Sequence, residues 1–181
     1  MKIFAMLFIV AVCASAYGGT INKQDTTVTK ADTMDKIIIQ TAVLNCSREK
    51  AFEYFTKNEL LEQWLTVKAE VEPRVGGKYE LFWNPADREN DSNIGCKILA
   101  MESPDYLNFE WKGPKEYKEF MNFTRPFTNV TVIFSPVGEK TKVTLLHTGW
   151  REGENWEQGR QFFIRAWAGA FSELEKLVNG N

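Results

Sequence analysis

The feature that most constrains this chain is a change of hydrophobic period. From residue 67 to 149 apolar side chains recur at every second position, whereas from 155 to 178 they recur at every third or fourth. A period of two marks strands with one buried face, and a period near 3.6 marks an amphipathic helix. The alternating region divides into six runs: 67–73, 78–84, 94–102, 106–113, 129–137 and 141–150. In 94–102, for example, Ile94, Cys96, Ile98 and Ala100 share a face. In 106–113, Leu107, Phe109 and Trp111 oppose Asn108, Glu110 and Lys112. The final segment carries Phe163, Trp167, Ala170, Phe171, Leu174 and Leu177/Val178 along one stripe. Asn155 and Gln158 fit a capping box at its start, and Gly180 is a stop.

Ahead of the six runs, "KIIIQTAVLNC" (36–46) is β-branched and reads as a further strand. Ser47 then suits an N-cap before Ala51, Phe52 and Phe55. Asn58 is a second N-cap candidate before Leu60, Leu61 and Trp64. The order is β, α, α, six strands, one long helix. The expected class is α+β: a curved seven-stranded antiparallel sheet wrapped on a long C-terminal helix, with two short helices after the first strand. Every apolar face is then covered. A length of 181 residues suits one domain, and 44% hydrophobic residues, with 13% aromatics, can fill a core.

The start of the chain carries a different signal. Lys2, the apolar run Ile3–Ala14 and the small-residue triplet Ala14-Ser15-Ala16 predict a signal peptide over 1–16. The run is too short to span a bilayer, and no later run is apolar enough to do so. Cys13 raises a lipoprotein alternative, but Val12 is bulky where such sites want a small residue. Residues 17–35 are polar and Thr-rich and predict a flexible tether, leaving 36–179 as the domain. The expected location is outside the cytoplasm, periplasmic or secreted. The processed chain carries 21 basic against 24 acidic residues, net −3. That balance argues against a nucleic-acid or anionic-membrane partner.

The residue patterns resemble a known family. "SREKAFEYFTKNELLEQWL" is similar to the first two helices of the domain shared with activators of the heat-shock-protein-90 ATPase (an AHSA-type domain of the START-like, SRPBCC helix-grip superfamily). "VEPRVGGKYELFW" resembles its glycine-pair strand and "GCKILAMESPDYLNFEW" its central hairpin. "TKVTLLHTGWREGENWEQGRQFFIRAWAGAFSELEKL" resembles its last strand and helix. The resemblance spans roughly 36–178. It implies a cavity between sheet and last helix, which in the superfamily often holds lipids, sterols, polyketides or other apolar molecules. Eukaryotic activators carry a further chaperone-binding domain, where this chain has only leader and tether, and a cytosolic chaperone would be in the wrong compartment. The family name is therefore not carried over as a function.

Candidate chemistry is sparse. Gly76-Gly77-Lys78 opens a strand, not a helix, so it reads as turn geometry instead of a phosphate loop. The single histidine, His147, alternates with Val143 and Leu145 and faces inward. It has no nucleophile signature beside it. Glu70/Glu72 and Glu152/Glu154 lack an apolar setting that would tune a carboxyl for acid–base work. Cys46 and Cys96 read as unpaired thiols, and no Cys/His cluster suits a metal. Asn45, Asn90, Asn122 and Asn129 begin glycosylation sequons. The expected cavity lining is Trp64, Tyr79, Leu81, Trp83, Cys96, Phe109, Trp111, Phe134, His147, Phe163 and Trp167. Such walls suit a small apolar or amphipathic ligand, with His147 or Tyr79 orienting it. Tyr117, Phe120 and Met121, in the long 113–128 connection, are expected to form a lid. No catalytic residue, cofactor or metal is expected. A cyclase- or hydrolase-type enzyme using the same cavity and a protein-interaction module remain as rival functions.

Overall fold

The structure is a computed structural model describing residues 36–180. The leader and tether expected over 1–35 lie outside the described residues. Strand β1 (Ile38–Leu44) is followed by helices α1 (Arg48–Thr56) and α2 (Asn58–Leu61). Six strands come next: β2 (Lys68–Val71), β3 (Tyr79–Phe82), β4 (Ile98–Glu102), β5 (Tyr106–Trp111), β6 (Thr128–Val137) and β7 (Lys140–Thr148). Between β5 and β6 lie a single 3-10 turn (Lys115–Tyr117) and helix α3 (Lys118–Met121). Helix α4 (Glu154–Asn179) closes the chain.

Seven strands are present among the described residues, all antiparallel, but they divide into two sheets. Five run in the order β1-β7-β6-β5-β4, and β2-β3 form a separate ribbon. The diglycine joins the two. Gly76 N–H donates to the Ile98 carbonyl at 2.8 Å, Ile98 N–H to the Gly77 carbonyl at 2.9 Å, and Tyr79 N–H to the Cys96 carbonyl at 2.9 Å. Gly76 adopts φ 77, a left-handed conformation that a side chain resists. At Gly77 an added Cβ would lie 2.3 Å from the Glu72 carbonyl oxygen, so close backbone approach demands glycine there. The pair therefore lets the ribbon cross the β4 edge.

Register explains the core. Ile98, Phe109, Val130, His147 and Ile38 stand opposite one another across four successive pairings, forming one row over the whole five-stranded sheet. All five are buried. Helix α4 lays Phe163, Trp167, Phe171 and Leu174 on this face at the predicted spacing. Helix α1 adds Ala51, Phe52 and Phe55, with Phe55 edge-to-face on Phe134 (5.4 Å), Trp64 (5.0 Å) and Phe171 (6.4 Å). The open edge of β1 is covered by α4 side chains. Glu175 accepts from Val43 N–H, and Asn179 both accepts from Asn45 N–H and donates to the Val43 carbonyl.

Local expectations met mixed outcomes. Ser47 caps α1, its hydroxyl accepting from Lys50 N–H, and Gly180 ends α4 with φ 72. The capping box at Asn155 does not form. Helix α4 begins two residues earlier, with Gly153 at φ 117 as N-cap and no side-chain cap, and Gln158 turns to Glu154 instead. Asn58 is the first residue of α2, not its cap. Its Oδ1 accepts from Val71 N–H at 2.8 Å and ties α2 to β2. The run 94–102 is strand only from Ile98, because Gly95 at φ 80 and a register shift between Ile98 and Ala100 break the alternation. Ile94 is exposed as a result. At the helix end Leu177 is exposed, and Val178 completes the stripe.

Candidate functional site

Beside the middle of α4, at the ends of β3 and β5, a cleft of about 470 Å³ opens. Its floor and walls are Trp83 and Asn84 just after β3, Trp111 and Lys112 at the end of β5, and Phe162, Phe163, Ala166, Trp167 and Ala170 on α4. Leu65 completes the wall, and Asp91, Ser92, Gly113, Pro114 and Glu116 form the mouth. The volume falls in the range of small-molecule pockets. The aromatic walls brace one another. Trp111 lies 4.7 Å from Trp167 between ring centroids, 5.8 Å from Trp83 and 6.2 Å from Phe163. Trp83 is fixed by its indole N–H, which donates to the Leu65 carbonyl at 2.7 Å. Its backbone N–H donates to the Asp91 carbonyl, drawing the 83–92 loop over the mouth.

Four of the expected lining residues, Trp83, Trp111, Phe163 and Trp167, border this cleft. Trp64, Tyr79, Leu81, Cys96, Phe109, Phe134 and His147 do not; they are buried in the packed core behind it. Tyr79 stacks on Phe109 at 3.7 Å and donates its hydroxyl to the Phe55 carbonyl, so its polar tip is already committed. Burial raises the pKa of that phenol far above its ordinary value. It likewise pushes the Cys96 thiol up to about 12. Cys46 and Cys96 are both free thiols.

His147 explains why Phe163 and Trp167 fill the inner half of the space. The Trp167 indole N–H donates to His147 Nδ1 at 3.1 Å. An indole nitrogen can only donate, so Nδ1 carries no proton and Nε2 does. Nε2–H then donates to Thr128 Oγ1 at 3.0 Å, and that hydroxyl donates to the Trp111 carbonyl at 3.0 Å. Each polar atom of the imidazole is paired. Desolvation lowers the imidazolium pKa from 6.5 to about 3, so the ring is neutral at physiological pH. It serves as a structural link between α4, β6 and β7 and does not border the cleft.

The 113–128 excursion packs on the rim. Asn122 closes it like a clasp, donating to the Gly113 carbonyl at 2.8 Å and accepting from Gly113 N–H at 2.7 Å. Met121 is buried under Gly113 and beside Gly159. Tyr117 packs on Phe162 and Phe120 on Trp156. These three residues, expected as a lid, turn toward the first half of α4. The segment reaches the cleft through Gly113, Pro114 and Glu116 instead. Sequence reasoning missed Leu65, Asn84, Asp91, Ser92, Lys112, Gly113, Pro114, Glu116, Phe162, Ala166 and Ala170 as lining residues. Most sit in connections, or beside the main helical stripe, where no period marks them. The one available signal was Ala166 and Ala170, small residues four apart beside Phe163 and Trp167. No cluster of three metal-ligating side chains occurs among the described residues, and no described helix is long and apolar enough to cross a membrane.

Comparison with solved structures gives the same architecture. The protein MLL2253 from Mesorhizobium loti shares 20% identity at a TM-score of 0.60, over 80% of this chain and 98% of that one. An HSP90 activator from Plasmodium falciparum shares 21% at 0.59, over 80% and 96%. The Aha1 dimer from Colwellia psychrerythraea shares 17% at 0.60, over 78% and 95%. At these identities the likeness is one of fold. A search of curated protein sequences found no match. The family described as Activator of Hsp90 ATPase homolog 1-like protein matches residues 45–179, from the turn before α1 to the last residue of α4. With that match spanning both short helices, six of the seven strands and the gripped helix, the chain belongs to the Activator of Hsp90 ATPase homolog 1-like family.

Proposed function

We propose that this chain is an exported, non-catalytic protein that binds a small apolar or amphipathic molecule in the cleft between β3, β5 and α4. The observation that carries this reading is the cleft itself: about 470 Å³ walled by Trp83, Trp111, Phe162, Phe163 and Trp167, with few polar side chains in its lining. Apolar concavities with a few polar groups at one end bury a ligand's body and orient its head. The non-catalytic part is supported by His147, whose two ring nitrogens are already committed. Export rests on the leader pattern of residues 1–16.

Native mass spectrometry of protein purified from its own host tests the binding directly, with a bound small molecule expected. Trp83→Ala should weaken an apolar fluorophore about tenfold by removing one aromatic contact. Ala166→Trp should occlude the cleft and abolish binding. Unchanged affinity in both variants would sink the assignment. A secreted form beginning at Tyr17 is the expected result of N-terminal sequencing. The description of the Plasmodium falciparum relative as an HSP90 activator favours a second reading, a chaperone-contacting module. That reading expects the chain to raise the ATPase rate of an Hsp90 homologue, and an unchanged rate removes it.

A further inference from the structure

Aromatic rings and carboxylates in the lining of the cleft both attract positive charge, while the Trp111 indole N–H is buried without a partner among the described residues. Five aromatic side chains line it, and the faces of such rings attract cations. Three ionisable residues border the cleft: Asp91, Lys112 and Glu116. The one cation among them is turned aside. Lys112 Nζ donates to the Ile94 carbonyl and lies 5.0 Å from the Phe127 ring centroid, and neither Ile94 nor Phe127 borders the cleft. Lys115, the next cation along, offers Asp91 only its backbone N–H, at 3.1 Å, and is not a lining residue.

The two carboxylates keep acceptor capacity. Glu116 is exposed and makes no hydrogen bond or ion pair within the described residues. Asp91 uses Oδ1 for Lys115 and leaves Oδ2 unpartnered within them. Asp91 also holds φ 34, a left-handed conformation uncommon outside glycine, at the point where the 83–92 loop meets the 113–116 turn. Opposite them, Ala166 and Ala170 contribute only methyl groups, leaving a flat strip on α4 beside the rings. Asn84 Oδ1 and the Ser92 hydroxyl are engaged with Ala86 N–H and the Arg88 carbonyl, so neither competes for the head group through those atoms.

We propose that the cleft selects flat apolar cations. A planar ring system lies among Trp83, Trp111 and the alanine strip, and a quaternary ammonium, protonated amine or ring nitrogen faces Asp91 and Glu116. This deepens, and rests on, the reading of the cleft as a small-molecule site.

Equilibrium dialysis with three planar tricyclic probes of matched size tests it: N-methylacridinium as cation, 9-anthracenemethanol as neutral and anthracene-9-carboxylate as anion. The cation is expected to bind at least tenfold tighter than the neutral probe, and the anion weakest. Asp91→Asn keeps a side chain tolerant of the left-handed backbone, and Glu116→Gln keeps shape. Each should lower the cation-to-neutral affinity ratio by roughly three- to tenfold, and the double variant should bring it near unity. Unchanged urea midpoints establish that the variants remain folded. Neutral binding without cation preference, or a ratio indifferent to both substitutions, overturns the charge selection while leaving the small-molecule reading standing. Failure of all three probes to bind overturns both.

Discussion

Acid should weaken this fold through one residue, and the effect can be isolated because His147 is the chain's sole histidine. Its folded-state pKa is lowered from 6.5 to about 3 by desolvation. A depressed value means the native ring stays neutral while the unfolded ring takes up a proton once the pH falls below about 6.5. The unfolded state then binds one more proton, so stability is full above pH 6.5 and drains as pH drops toward 3. Integrating one proton from pH 7 to pH 5 gives a loss of about 2 kcal/mol, a sizeable part of a typical 5–15 kcal/mol. Glu157, held down to about 2 by Arg160, changes its share only below the ordinary glutamate range. Urea unfolding at pH 7, 6.5, 6, 5.5 and 5 measures the loss. His147→Gln should be less stable at pH 7 by about 1–3 kcal/mol, because the Trp167 donor and the Thr128 hydroxyl lose matched partners. It should also show a nearly flat profile from pH 7 to 5. A wild-type midpoint constant across this range would refute the buried, neutral, doubly bonded imidazole. So would an equal slope in the variant.

Other outcomes follow from close packing and burial. Gly77→Ala should cost more than about 2 kcal/mol, since its Cβ would press on the Glu72 and Arg74 carbonyl oxygens, which are backbone and cannot rotate away; urea titration checks it. Gly113→Ala should cost about 1–3 kcal/mol, because the new methyl would meet Met121 Sδ at 2.6 Å with Tyr117 Cβ also close, and a thermal melt should register the drop. Cys96, buried and with its thiol pushed up to about 12, should resist alkylation by iodoacetamide at pH 8 until the protein unfolds. Cys46 is half-buried and should react first, as peptide mass mapping over time would reveal.

Much of the fold was legible because period is a local property. Alternation in 106–113 and 141–150 named Leu107, Phe109 and Trp111 of β5 and Val143, Leu145 and His147 of β7, and each of those is buried. The stripe from Phe163 to Leu174 named the gripped face of α4. Local signals failed where a side chain had a distant partner. Asn58 serves β2 instead of capping, and Gly153 lets the chain enter α4 before Asn155 can cap it. The run 94–102 kept its apolar period on paper, yet Gly95 and the register shift send Ile94 outward.

The sequence by itself determined the order of elements, the buried face of most strands and the aromatic character of the space beneath α4, because each depends on residues close together in the chain. Only the tertiary structure decided which of those aromatics pack and which leave room. Tyr79 and His147 look from sequence like polar anchors for a ligand. Their hydrogen bonds to Phe55, Trp167 and Thr128, from 19 to 24 residues away, consign them to the core. Trp83 and Trp111 border the cleft because the folded chain brings the residue after β3 and the last residue of β5 together beside Trp167 of α4. The charged mouth is assembled from two loops, 83–92 and 113–116, joined by one hydrogen bond from Lys115 to Asp91. Loops carry no period, and the meeting of two of them is set by the chain's global path, so that juxtaposition exists only in the folded protein.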